Sequence, residues 1–329
     1  MATRFELYYG EPGSGKTRSI LKLIEDFLAT HPEKTVRVYT GDGSRLMYDL
    51  SGLVAKGRVF VMDFTIRDWP FTVCQQITSG YWPKDNAIDN PTAPLVPLSA
   101  EDFKSTGMWI FEGTSVMSNY LLGNMKGGLA QRAAAGEQIG EKANVMIKDD
   151  GGAAFGGNAP AHYGMAQRHM LTYILQSKRL PGSYVVWTGH ERVDDGEKGG
   201  YKDAAKYVIG EKIIGPEVAG KAMTSNISRE FGNTLHFTVA SKREQGDKDT
   251  LTGKQPGKST TEYRIYTRDH FDPDGIVGLK YRAVNRAYYP EHVKDYYVSS
   301  AQAPGEGLLQ FYRDLSREME GNKTKPSGV

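Results

Sequence analysis

The chain has 329 residues, of which 24% are charged, and 41 Lys+Arg against 39 Asp+Glu leave a formal charge of +2. That near-balance excludes a tail-driven polycation, and the lone cysteine, Cys74, excludes an intramolecular disulfide framework or a cysteine-based zinc site and suits a reducing compartment. No apolar run reaches the roughly 18 residues of a membrane span, and residues 5–9 read as a strand too early for a signal peptide, so a soluble cytoplasmic protein without a membrane partner is expected.

In chain order, the pattern predicts strands at 5–9, 36–40, 58–62, 108–111 and 184–188. A helix over 16–29 carries Ile20, Leu21, Ile24, Phe27 and Leu28 as one apolar stripe. Another helix precedes residue 184, supported by Ala166, Met170, Tyr173, Ile174 and Ser177. Short apolar strands alternating with helical patterns argue for an α/β fold with a mostly parallel sheet flanked by helices. Beyond position 230, runs at 235–240, 261–267 and 281–289 are rich in β-formers and suggest antiparallel strands extending that sheet. A final amphipathic helix is expected over 305–319, with a polar, frayed tail from Glu320. The core is placed at 1–295, and 296–329 is read as the helix and tail.

Three stretches do not read as core. Residues 78–100 hold four prolines and suggest a surface excursion. Residues 123–164 contain ten glycines, and 191–221 mix glycine with charges of both signs. Loops of that length are functional or disordered. Glycine overall, at 38 residues, is well above the usual share of about 7%.

The strongest signal is Gly10-Glu11-Pro12-Gly13-Ser14-Gly15-Lys16-Thr17, a Gly-x-x-x-x-Gly-Lys-Thr followed by Arg18. Glycines at those positions let successive backbone N–H groups turn inward around phosphates. The helix that follows adds its positive N-terminal end, Lys16 reaches the β and γ oxygens, and the Thr17 hydroxyl suits magnesium. A strand entering and an amphipathic helix leaving are the context the motif requires. Bound ATP and Mg2+ are therefore expected.

Such a loop needs a carboxylate on a neighbouring strand tip and a group that orients water. Glu112 closes the apolar run 108–111 and suits the magnesium role; an ordinary edge glutamate is the alternative. Asp42, just past the second strand, suits a base acting on water, although Asp-Gly is also common turn chemistry. Asp63 is the competing carboxylate. His190 ends the run 184–188 at a strand's carboxyl end, where open α/β sheets bind ligands, and is a candidate γ-phosphate sensor. No metal-ligand spacing and no acyl-transfer motif occur among the remaining residues, so the chemistry indicated is phosphoryl transfer.

The order of these elements resembles the RecA-like P-loop ATPases, closest to phage-encoded RecA-like proteins of single-strand annealing and recombination. The resemblance covers about residues 5–290. It runs from the phosphate loop through Asp42, Glu112, Tyr163-Gly164-Met165-Ala166-Gln167-Arg168, Thr188-Gly189-His190 and Gly215-Pro216-Glu217 to Tyr263–His270. It implies a RecA-like core that hydrolyses ATP and assembles head-to-tail into a ring or filament. Asp42 would be the water-activating acid, Glu112 the magnesium carboxylate, and His190 the switch residue. Arg268, with His270, would reach a neighbouring subunit's γ-phosphate. Glutamate is usual at the position of Asp42 and aspartate at that of Glu112, so each carboxylate moves by a methylene.

The resemblance also makes 123–164 and 191–221 DNA-facing loops and single-stranded DNA the expected partner. Charge supports this weakly, since 191–221 holds six basic against seven acidic residues. Phe155 and Tyr201 are available to stack on bases, and the best basic patch lies at 241–260. Competing readings are an ATP-driven motor or assembly protein acting on duplex DNA or protein in phage DNA metabolism or packaging, and a small-molecule kinase. The glycine loops and the β-rich second half disfavour the kinase.

Overall fold

The computed structural model describes residues 3–41, 44–63, 81–83, 94–119, 121–122, 160–194, 212–217, 227–244, 258–268, 270–271, 279–281, 284–285 and 293–323. Its first half contains β1 (Arg4–Gly10), α1 (Lys16–Thr30), β2 (Thr35–Thr40), α2 (Ser44–Ala55), β3 (Val59–Asp63), β4 (Tyr81–Pro83), β5 (Leu95–Pro97), α3 (Ala100–Ser105) and β6 (Thr106–Glu112). Then follow α4 (Pro160–Ser177), β7 (Tyr184–Gly189), β8 (Glu191–Asp194), β9 (Lys212–Pro216), a 3-10 turn at Ile227–Glu230, β10 (Asn233–Glu244) and β11 (Lys258–Tyr266). The last elements are β12 (His270–Phe271), β13 (Leu279–Tyr281), β14 (Val284–Asn285), β15 (Tyr296–Ser300) and α5 (Glu306–Lys323).

The central sheet runs β15-β11-β10-β1-β7-β6-β2-β3, with β14 also paired to β10. From β10 to β3 the neighbours are parallel, and β11 and β15 add on antiparallel. The expectation of an α/β fold with a mostly parallel sheet flanked by helices is met. One detail differs. The run 235–240 belongs to β10, which is parallel to β1, so the antiparallel extension begins only at β11.

Strand alternation sorts the core into two layers. Tyr8, Val36, Val38, Met108, Ile110 and Val186 face α1, α2 and α5. Leu7, Tyr39, Trp109, Phe111, Val185 and Trp187 face α4 and the helical residues 114–119 and 121–122 on the other side. Burial on both faces explains why these strands read as continuous apolar runs. The two large indoles are paired as well as buried. Trp109 Nε1 donates to Pro181 O at 2.6 Å, and Trp187 Nε1 donates to Ser177 Oγ at 3.0 Å.

Four expectations change. The stretch 191–221 is not all loop, because β8 and β9 pair antiparallel within it and join β13 and β12 in a second sheet. The 78–100 stretch contributes the antiparallel pair β4–β5, whose Trp82 is buried against Tyr39. Of the run 281–289, the described residues form two short strand segments, β13 and β14, in different sheets. The region from 296 opens with β15, a strand of the central sheet, and α5 continues through Lys323 rather than fraying at Glu320. Among the described residues no helix is long and apolar enough to cross a membrane.

Candidate nucleotide site

β1 ends at Gly10, and α1 begins at Lys16 with Gly15 as its N-cap at φ 90°. Gly13 is also left-handed, at φ 83°, a conformation that costs other residues roughly 1–2 kcal/mol. Gly10 is required by space, since a Cβ there would lie 2.0 Å from the Phe237 carbonyl oxygen of β10. The loop therefore turns tightly between two parallel strands and delivers its amides to the head of α1.

That helix head is left open. α1 has no side-chain cap and no acid in its first turn. By contrast, the Ser99 hydroxyl caps α3, accepting from the Asp102 N–H at 3.0 Å, and Glu101 and Asp102 occupy its first turn. Unsatisfied N–H groups with the positive end of the helix dipole form an anion site. Lys16 Nζ folds back over the loop, donating to Gly10 O at 2.8 Å, Glu11 O at 2.9 Å and Ser14 Oγ at 3.2 Å.

Glu112 is buried at the tip of β6. Thr17 Oγ1 donates to its Oε1 at 2.9 Å, and Thr40 Oγ1, at the tip of β2, donates to its Oε2 at 3.0 Å. β7 lies between β1 and β6 in the sheet, and its tip is tied to the same cluster. Gly113 N–H donates to Thr188 Oγ1 at 3.0 Å, Thr114 Oγ1 donates to Thr188 O, and His190 N–H donates to Ser115 Oγ at 3.0 Å. The buried His190 Nδ1 has no hydrogen-bond partner among the described residues.

A cavity of about 530 Å³ opens over this arrangement. Pro12 through Ser19 line it, with Glu112, Gly113, Thr188, Gly189 and His190. Lys16, Thr17, Arg18, Glu112 and His190, all singled out from the sequence, thus line one cavity. Asp42 lies outside the described residues. Asp63 ends β3, the edge strand, two strands beyond β6. Arg268 is not brought to this cavity. β11 is antiparallel, its Tyr266 pairs with His236, and Arg268 continues toward the opposite end of the sheet. There it is exposed and forms an ion pair with Asp295 at 2.9 Å. For His270 only the backbone, in β12, is described.

The structure adds residues that the sequence reading passed over. Asp49, Ala301, Pro304 and Gly305 line the same cavity, as does Tyr263, which opens the run Tyr263–His270 but was given no role there. His236, on β10, faces Glu191, with Nε2 3.0 Å from Oε2. Glu191 follows His190 directly, so the strand-end argument that picked out one residue applied equally to the next. Thr17 Oγ1 and the Glu112 carboxylate are hard oxygen donors of the kind that hold magnesium together with phosphate and water. Among the described residues no group of three or more His, Cys, Asp or Glu side chains forms a metal cluster, and magnesium held largely by phosphate and water needs none. No protein-family model matches the chain, and no curated protein matches its sequence.

Proposed function

We propose that this chain is a magnesium-dependent ATPase with a RecA-like core. The observation that carries the proposal is the bond from Thr17, in the first turn of an uncapped helix, to the buried Glu112 at a neighbouring strand tip. An isolated Gly-rich turn gives no reason for a hydroxyl and a carboxylate to meet there. A site that binds a triphosphate with a divalent cation does.

In this reading the amides from Gly13 to Thr17 hold the phosphates, and Lys16 exchanges its loop carbonyls for phosphate oxygens. Thr17 and Glu112 would hold magnesium, whose charge would offset that of the phosphates. Thr40 fixes the second Glu112 oxygen and so aims the first. His190 lines the cavity, where its side chain would meet a γ-phosphate oxygen. Loss of that contact would pass through the Ser115 hydroxyl to Glu217, whose carbonyl Ser115 contacts at 3.3 Å, and so to β9.

The same proposal has the protein assemble head-to-tail and act on single-stranded DNA in a phage-type recombination, annealing or replication step. An exposed Arg268 remote from its own cavity suits a role in a neighbouring subunit's site. The test is steady-state ATP hydrolysis with and without Mg2+ and single-stranded DNA, with sedimentation of the same mixtures. Magnesium-dependent turnover stimulated by single strands, with larger assemblies in ATP, is the expected outcome. Stimulation by duplex DNA alone would instead favour a motor.

A further inference from the structure

Glu112 and His190 reach the cavity from the β7–β6 side of β1, whereas β10, β11 and β15 lie in that order on its other side. From that other side come Tyr263 of β11 and Ala301, Pro304 and Gly305 of the turn between β15 and α5, all of which line the same cavity. The turn ends a stretch, 296–305, that carries no charged residue. It also lies beyond residue 290, where the resemblance to RecA-like ATPases stops.

The turn is fixed by what it packs on. Gly305, at φ 86°, sits so close to α1 that a Cβ there would lie 2.7 Å from Lys22 Cβ and 3.1 Å from Ser19 Cα. Ser299 Oγ accepts from the Gly307 N–H at 2.9 Å, and Ser300 Oγ accepts from the Ala303 N–H at 3.1 Å. Residues two apart on an α-helix point about 200° away from each other. A turn seated on Ser19 therefore flanks α1 on the side away from Thr17 and its partner Glu112. Tyr263 stands where that side meets the loop, its ring Cδ1 3.0 Å from where a Cβ on Gly15 would be.

We infer that the turn 301–305, with Tyr263, receives the base of the nucleotide whose phosphates the 10–17 loop holds. The inference rests on the ATPase reading above. The cavity, at about 530 Å³, has the size of pockets that bury a whole small ligand, roughly 300–1,000 Å³. One side of its lining offers amides, a hydroxyl and a carboxylate, which suit phosphate and cation. The side formed by Tyr263, Ala301, Pro304 and Gly305 has no charge and suits a flat ring, which gains by stacking on an aromatic side chain and packing on small aliphatic ones. Asp49 lines the cavity from α2, which packs on β3 at the far end of the sheet from β15, and it offers a polar acceptor but no surface for stacking. Because α1 and the serine hydroxyls already hold the turn, the base would meet a preformed surface and little would be lost in ordering it.

The test compares Mg-ATP with Mg-tripolyphosphate, which carries the phosphates without a nucleoside, by calorimetric titration of the full chain. Wild type should bind ATP the more tightly. Tyr263→Leu should weaken ATP binding about tenfold and Pro304→Ala about threefold, while tripolyphosphate affinity stays within about twofold for both. An ATP analogue with a photoreactive group on the base should cross-link wild type at Tyr263 or within 301–305. Wild type binding the two ligands equally, variants that bind ATP as wild type does or weaken both ligands alike, or cross-links confined to other segments such as α2 would overturn the inference and leave the phosphate site standing. A wild-type chain that binds neither ligand would remove both readings.

Discussion

Thr17 Oγ1 and Glu112 Oε1 are joined by a 2.9 Å hydrogen bond although 95 residues separate them in the chain. The bond ties the first turn of α1 to the tip of β6 across the intervening β7. Glu112 can reach Thr17 because Thr40 holds its other oxygen and the Gly41 N–H donates to its backbone carbonyl at 3.1 Å. The cluster is therefore aimed from three elements before any ligand arrives.

Glu112→Gln tests that cluster. The amide keeps the shape and one acceptor oxygen, so stability should change by only about 1 kcal/mol. Magnesium-dependent hydrolysis should fall at least about 100-fold, while nucleotide binding without metal should hardly change. Parallel measurements of thermal unfolding, metal-free binding and turnover separate these effects.

Gly10 and Gly13 should respond differently to alanine. At Gly10 the new methyl meets the Phe237 carbonyl oxygen at 2.0 Å, between paired backbones that have little room to part. Gly10→Ala should cost about 2–3 kcal/mol of stability. At Gly13 nothing lies within 4 Å of the added carbon, and only the φ of 83° resists. Gly13→Ala should cost about 1 kcal/mol and chiefly weaken nucleotide binding. Denaturant midpoints for the two variants give the comparison.

Much of this was legible in the sequence, and what was not has identifiable causes. The 10–17 loop is a local motif whose glycine spacing is fixed by the backbone path it follows, so it stands out in the sequence. Glu112 and His190 could be found because each ends an apolar run. The Glu191–His236 contact could not be found that way. It joins residues 45 apart and depends on β10 lying beside β1, which no turn or periodicity encodes. Trp82 was hidden for a different reason. The prolines around it suggest a surface loop, yet its ring packs edge-on against Tyr39 and under the Arg37 guanidinium at 4.7 Å. The β8–β9 pair was masked by glycine and mixed charge, which hide strand alternation.

Glu6 gives a stability prediction with a definite sign. It is fully buried in β1 and accepts a 2.8 Å hydrogen bond from Asn233 Nδ2. Burial raises its pKa from 4.5 to about 7, with Asn233 and Arg4 opposing. Between those two values the native state holds a proton that the unfolded chain has lost, so this group makes stability fall as pH rises from 4.5 to 7 and adds no further change above. The loss is on the order of 3 kcal/mol. Glu6→Gln keeps the oxygen that Asn233 needs and removes the charge. Its unfolding midpoint should exceed wild type by several degrees at pH 8, match it near pH 4.5, and show a flatter pH profile between.

Arg268 offers a test of assembly. Arg268→Ala should bind ATP as wild type does, because the residue is remote from its own cavity, but should hydrolyse it at least about 100-fold more slowly. Lys16→Ala should be inactive for the opposite reason. Mixing the two inactive proteins should recover turnover at junctions where an intact Lys16 site meets an intact Arg268. Mixtures no more active than their components would place Arg268 outside the reaction.

The central claim is that the 10–17 loop grips a triphosphate, and calorimetric titration of Mg-ATP into wild-type and Lys16→Ala protein tests it most directly. The account predicts saturable binding of one nucleotide per chain by wild type and at least about tenfold weaker binding by the variant, the loss of a charged hydrogen bond. Equal affinity of the two proteins, or no binding by wild type, would contradict it.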